Sequence, residues 1–300
     1  MASIFEEQNQ PHLLRCLVAQ RKKYSLGKRI SLWATWITAG GVIMCVVGTG
    51  TQSESSRAIC CLLAVIYQFA VRYLDCWGNK MFANAATIQQ YFDYMLFHPR
   101  LVGGENQWYP LPTQSDVAEI IAPITDQQID EQCVRNWYED YSYANPDRQV
   151  YLSQRQNIRW NLRQDRRYFR TCIAVVLLVV LAMIVVGISG NVHFSSVMCL
   201  LCWLLPLLER FFRRLYVMWT RIQQMEKTKQ LSNALDREWK SLNISTRTKK
   251  LLMIQNELRS IRKKGVGVPD WFYRLFRQTD QTNESNCAKS QSGIEKSEGC

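Results

Sequence analysis

The feature that most constrains this chain is a run without charge, Cys172 to Ile188, that follows a strongly basic segment with no turn signal between them. Its centre, Ala174 to Val186, is apolar on every side, so a helix there has no face suited to water and belongs in lipid or deep in a bundle. Upstream, Asn145-Pro146 supplies a helix start, with Asn at the N-cap and Pro at the first helical position, where its missing N–H costs nothing. From Pro146 the chain meets no further Gly or Pro before Gly187. The pattern predicts one helix over Pro146 to Ser189, basic and polar in its first half and membrane-like in its second.

Similar runs occur elsewhere. Residues 30–50 and 58–77 form a first pair, and 169–188 with 192–208 a second, each close to the roughly 20 residues that cross a bilayer. The joining loops, Thr51 to Arg57 and Ser189 to Asn191, are short and polar. Two transmembrane helical hairpins are therefore expected. Arg15, Arg21, Lys22, Lys23, Lys28 and Arg29 precede the first span, Arg155 to Arg170 precede the third, and Arg210, Arg213 and Arg214 follow the fourth. The positive-inside rule then puts both termini and the central region in the cytoplasm of a multi-pass protein of the cell (inner) membrane. The net charge of +12 sits beside the spans, which favours a lipid bilayer over a nucleic-acid polymer as its partner.

The expected divisions are a basic, amphipathic segment at 1–29, the first hairpin at 30–77, a cytosolic helical domain at 78–168, the second hairpin at 169–208, a helical region at 209–277 and a disordered tail at 278–300. No signal peptide is expected, because the first apolar run starts only near Ile30 and ends without a small-residue cleavage site. Many of the 11 cysteines lie in apolar runs, where a thiol acts as a small hydrophobe, and no structural disulfide is expected.

Within these divisions, Pro11 can open a helix through Leu13, Leu14, Leu17 and Val18 that lies either on anionic lipid or on the cytosolic domain. Thr113 or Ser115, followed by Glu119, can cap one short helix, and Thr125 can cap another running to Trp137 or beyond. Leu208, Phe211, Leu215, Met218, Ile222 and Met225 follow heptad spacing, and Leu251, Ile254, Leu258 and Ile261 mark another helix face. No strand-like alternation persists, so the fold class is all-α.

Two spans carry faces of small residues: Ala34, Thr38, Gly41, Cys45 and Gly48 in the first, Ser195, Cys199 and Cys202 in the fourth. Such faces let helices pack closely or line a narrow pore. Arg72 and Asp75, three residues apart at the end of the second span, can satisfy each other at the membrane interface. Catalytic signals are missing. His12, His98 and His193 are scattered, no Cys/His spacing suits zinc, and no phosphate-binding Gly-rich loop or nucleophile elbow occurs, so neither an enzyme nor a cofactor is expected.

Ala19-Gln-Arg21 with Tyr24, Ile88-Gln89 with Phe92-Asp93, Asn136-Trp137-Tyr138, and Ser153-Gln154-Arg155-Gln156-Asn157 with Trp160 and Arg163 occur in an order relative to the four spans that resembles the S-4TM family of pore-forming effectors of bacterial conflict and antiviral systems. That resemblance spans nearly the whole chain. It implies a membrane-permeabilising effector triggered through its cytosolic domain by a partner signalling enzyme, often a cyclic nucleotide synthetase; the alternatives are a non-conducting membrane-anchored sensor or scaffold and a constitutive channel. Separately, four spans hardly enclose a water-filled path, so a homo-oligomer is expected. Under the resemblance, Gln154, Arg155, Asn157, Trp160 and Arg163, with Phe92, Asp93 and Trp137, are either a nucleotide-binding set or a buried polar network that fixes helix register.

Overall fold

The computed structural model describes residues 2–50, 53–101, 108, 111–189, 194–265 and 267–298, without the side chains of residues 45, 49, 50, 61, 186–189, 194–203 and 294–298. The described elements are all helical. In order they are α1 (Ile4–Glu7), α2 (Pro11–Gly50), α3 (Glu54–Phe97), a 3-10 turn (His98–Arg100), α4 (Gln114–Ile121), α5 (Asp126–Gln132), α6 (Pro146–Ser189), α7 (Phe194–Glu238), α8 (Ile244–Lys263) and α9 (Asp270–Glu298).

Four of these are long rods. α6 begins and ends where Asn145-Pro146 and the absence of breakers place it. α2 absorbs both the N-terminal amphipathic segment and the first apolar run in one helix. It runs antiparallel to α3: Gly27 sits against Phe82 and Gly78, Gly41 against Tyr67, and Gly48 against Cys60. α6 and α7 are likewise antiparallel, with Phe169 beside Trp219, Asp165 on Arg221 and the Tyr151 hydroxyl donating to the Ser232 carbonyl.

One core joins the polar ends of these rods. Leu13, Leu14, Leu17 and Val18 are buried there, so the N-terminal stretch of α2 packs on protein and is no interfacial lipid helix. Phe92, Leu96, Phe97, Tyr138, Tyr151, Leu251, Ile254, Leu258 and Ile261 fill the centre. Each such side chain contributes roughly 1.5–3 kcal/mol of hydrophobic stabilisation. Met218, Ile222 and Met225 point into the same core, so the heptad seam of α7 is covered by this chain's own helices and offers no coiled-coil stripe to a second copy over those residues.

Two local endings differ from the expectation. Thr113 caps α4 through a reciprocal box with Asp116, three residues on, where Glu119 was the anticipated partner. α5 is capped by Thr125 as expected but stops at Cys133, whose left-handed backbone (φ 47°) ends the helix before Trp137. The larger correction concerns the tail. Residues from Gln278, expected to be disordered, continue α9 to Glu298. The physical reason is a buried acidic stripe: Asp280 and Glu284, one turn apart, are fully covered and seated on arginines of α6.

The apolar stretches of α2, α3 and α6 behave differently from the core. Among the described residues these three helices are long and apolar enough to cross a membrane, and none of the α6 stretch is buried. Trp33, Trp36, Leu62, Phe69, Leu177 and Leu178 are all exposed. Such a continuous apolar surface is far larger than a water-soluble monomer carries.

Candidate functional site

Just beyond the apolar stretches, the residues singled out by pattern separate into a sealed network, a ladder of ion pairs and an open pocket. Asp93 on α3 is the centre of the network. Its carboxylate accepts from the Tyr138 hydroxyl at 2.6 Å, from Gln255 Nε2 at 2.7 Å and from Arg262 Nη1 at 2.7 Å. Asn157 Nδ2 donates to the Tyr138 hydroxyl at 2.9 Å, and Gln154 Nε2 donates to Gln255 Oε1 and to the Leu251 carbonyl, both at 3.1 Å. Phe92 packs beside Tyr138. Gln8 brackets the Tyr138 backbone, accepting from its N–H and donating to its carbonyl. Burial, with Asp93 next in importance, pushes the Tyr138 phenol well above its usual range. Burial pulls Arg262 down, and the Asp93 charge more than offsets it, so the guanidinium ends above its usual value. The pair is fully buried, so each charge has its counter-charge within the core.

Arg155 and Arg163 take structural partners. Arg155 Nη1 donates to Asp236 on α7 at 2.8 Å. Arg163 pairs with Glu284, Arg159 donates to the same carboxylate at 2.7 Å, and Arg167 donates to Asp280 at 3.2 Å. Arginines four residues apart on α6 thus meet acids four residues apart on α9.

The pocket lies between these groups. A cavity of about 500 Å³ is walled by α2 (Arg21, Tyr24, Lys28), α3 (Phe82, Gln89), the turn after α5 (Gln132 to Trp137), α6 (Asn157, Trp160, Gln164) and α9 (Tyr273, Arg274, Arg277), with Arg221 and Arg262 at its back. All four rods reach it. The early end of α5 shapes its mouth: the Gln132 carbonyl accepts from Arg21, and the Cys133 carbonyl accepts from Arg277 Nη2 at 2.8 Å. Lys28 Nζ donates to Asp270 at 2.6 Å and the Ser25 hydroxyl to the same carboxylate at 2.8 Å. Burial raises the Asp270 carboxyl, but Lys28 and Ser25 more than offset this and hold it below its ordinary value. Burial lowers the Arg21 guanidinium; Tyr273 and Asp270 oppose this, and the nearby Arg277 charge adds to it. Gly265, in the left-handed region at φ 50°, closes α8 directly beside Phe82; a Cβ there would meet that ring at 2.6 Å.

Of the eight residues proposed for coupling or ligand binding, only Trp137, Asn157 and Trp160 line this pocket, while Gln154, Asp93 and Phe92 are sealed in the network and Arg155 and Arg163 are spent on ion pairs. Lys28, Gln164, Arg262, Tyr273, Arg274 and Arg277 join the pocket without a local motif to announce them.

At the edge of the apolar stretches the expected Arg72–Asp75 pair does not form. Arg72 is exposed, and Asp75 accepts two bonds, each 2.7 Å, from Arg210 on α7. Arg210 also donates to Thr35 Oγ1 and the Ser31 carbonyl, and Arg214 to Ser31. A planar guanidinium can bind α2 and α3 at once, whereas Arg72 three residues along the same helix can reach only its own surface. On the small face of α2, Ala34 and Thr38 are buried, and Gly41 and Gly48 lie against α3. The side chains of Cys45, Ser195, Cys199 and Cys202 lie outside the described residues.

Comparison with protein families settles the lineage. Residues 2–291 match the family model of the SMODS-associating 4TM effector domain. The chain belongs to that family. A family described as an effector with four transmembrane segments, together with the three apolar helices, makes this chain a membrane effector. The candidate span at 192–208 falls mostly on side chains outside the described residues. No curated protein and no solved structure matches the chain.

Proposed function

We propose that the protein is a pore-forming effector of biological conflict, in antiphage defence, that permeabilises the cell membrane when its cytosolic portion is triggered. In this reading the α2–α3 and α6–α7 pairs are two transmembrane hairpins of the inner membrane with both termini cytoplasmic, as the basic residues flanking the apolar runs favour. The observation that carries the reading is α6. Without a break, it runs from Asn157 and Trp160 in the pocket wall to Val175 through Val185, none of which is buried by the described residues. A rearrangement around the pocket is thereby delivered into lipid by one rigid element.

Four spans enclose little water, so the conducting form is a homo-oligomer, and the small residues of the first and fourth spans are the surfaces that rearrange. The trigger is a cyclic nucleotide made by a partner nucleotidyltransferase, and the protein itself catalyses nothing. Liposomes loaded with a self-quenched dye and carrying the purified chain test this. Leakage on adding the nucleotidyltransferase product is expected. Unchanged dye retention, with membrane potential in expressing cells also unaffected by partner and trigger, would leave a non-conducting membrane-anchored sensor or scaffold as the better description.

A further inference from the structure

The pocket carries more positive charge than its own carboxylates answer. Lys28 is matched by Asp270, Arg221 by Asp165 and Arg262 by Asp93. Arg21 and Arg277 are not matched: among the described residues each donates only to a backbone carbonyl, and those carbonyls belong to the consecutive residues Gln132 and Cys133. Two guanidiniums from opposite ends of the chain are therefore drawn to one turn and neither is ion-paired among the described residues, although Glu131 and Glu139 also line the cavity and the Asp270 charge reaches Arg21. Like charges gathered in a partly buried site are unfavourable unless an anion joins them.

A second observation points the same way. Gln164 Nε2 and the Nε and Nη2 of Arg262 are buried donors on the same cavity with no protein acceptor. Buried donors of this kind normally have a partner. The remaining walls are aromatic, and Trp160 and Tyr273 stand 6.3 Å apart at a 49° tilt, so the two rings do not stack face to face on each other. A cavity of about 500 Å³ is in the usual range for a small-molecule site.

We propose that this pocket binds a phosphate-bearing anion with a planar ring, of nucleotide size, its phosphate held by Arg21 and Arg277 and its ring placed against Trp160 and Tyr273. Arginine forks suit phosphate oxygens, and aromatic faces suit bases. A phospholipid headgroup shares the phosphate, and Lys28 lies close in sequence to the first apolar run, but a headgroup leaves the aromatic walls unused. Binding stands apart from the pore; only its consequence for the bilayer rests on the function proposed above.

The test is calorimetry on the full chain in nanodiscs of phosphatidylcholine, titrated with AMP, GMP, cyclic dinucleotides and inorganic phosphate, and repeated in nanodiscs containing phosphatidylglycerol. Saturable binding of at least one ring-bearing phosphate is expected, at least tenfold tighter than inorganic phosphate. Arg277→Ala should weaken it tenfold or more. The exposed Arg274→Ala, which leaves helix packing alone, should weaken it a few-fold. Trp160→Ala should weaken the ring-bearing ligand while leaving inorganic phosphate unchanged. No binding by any ring-bearing phosphate, equal binding of inorganic phosphate, indifference to both arginine variants when their melting curves are native, or loss of the binding in phosphatidylglycerol nanodiscs through headgroup competition would each overturn the assignment. Dye leakage from liposomes, scored separately, divides the two readings: binding without leakage removes the pore and keeps the pocket, and leakage insensitive to Arg277→Ala does the reverse.

Discussion

Two polar clusters lie side by side against α6, and they differ in how their charges are answered. Around Asp93 the carboxylate has a guanidinium, a phenol and an amide as donors, all inside the core. Around Arg21 and Arg277 the guanidiniums meet only carbonyls, in a cavity open to a ligand. The first arrangement fixes how α3, α6 and α8 sit together. The second leaves two guanidiniums without an ion pair among the described residues, which is the feature the proposed anion site would use.

The contrast is broken most forcefully at Asp93. Asp93→Ala leaves Arg262 buried without its carboxylate and should cost about 3–5 kcal/mol, read as a large fall in melting temperature in detergent. A small change would mean the sealed network is not what holds the helices. Next in size is Glu284→Ala, which removes the shared partner of Arg159 and Arg163. A loss of about 1.5–3 kcal/mol is expected, with new protease cleavage in α9 before any in α6. Retained protection of α9 would show that its docking does not depend on the ladder.

At the membrane edge the pair of variants Asp75→Asn and Arg72→Gln tests which arginine is the partner. The first should destabilise by about 1–3 kcal/mol, because Arg210 is nearly covered, and the second by no more than about 0.5 kcal/mol. The reverse order would restore the local pair. The smallest effect is a pH dependence in the pocket. Burial, then the neighbouring Glu284 charge, raises the Glu139 carboxyl above its ordinary value. A raised folded value means a contribution to stability that is present at low pH and lost as pH rises through it. Protonation also removes a negative charge from the pocket wall, so anion affinity should rise a few-fold as pH falls from neutrality to about 5, and Glu139→Gln should flatten that slope. A slope that survives in the glutamine variant would assign it to another group.

What was readable beforehand follows from where each signal lives. α6 was legible to its ends because Asn-Pro starts helices and nothing within it stops one. α8 was legible through Leu251, Ile254, Leu258 and Ile261, all of which are buried. The docking of α9 was hidden by composition: Gln, Asn, Ser and Thr surround Asp280 and Glu284, and only their four-residue spacing matched that of Arg159, Arg163 and Arg167. A heptad stripe reads the same whether its cover is another chain or, as for Met218 and Ile222, this one. Nearness in sequence made Arg72 the obvious mate for Asp75, yet Arg210 comes from 135 residues away. The pocket was least legible, since its walls come from segments between Gln20 and Gln281 and no window contains more than a fragment of it.

The unbroken course of α6 also sets a mechanical ratio. From Trp160 to Val185 an α-helix advances about 38 Å, at roughly 1.5 Å per residue. Pivoted at its pocket end, such an arm turns a tilt of about 5° into a displacement of about 3 Å at the far tip, comparable to the width of a water molecule. A small angular change at Trp160 is thus amplified, by length alone, to the size of a water molecule at the far end of the helix.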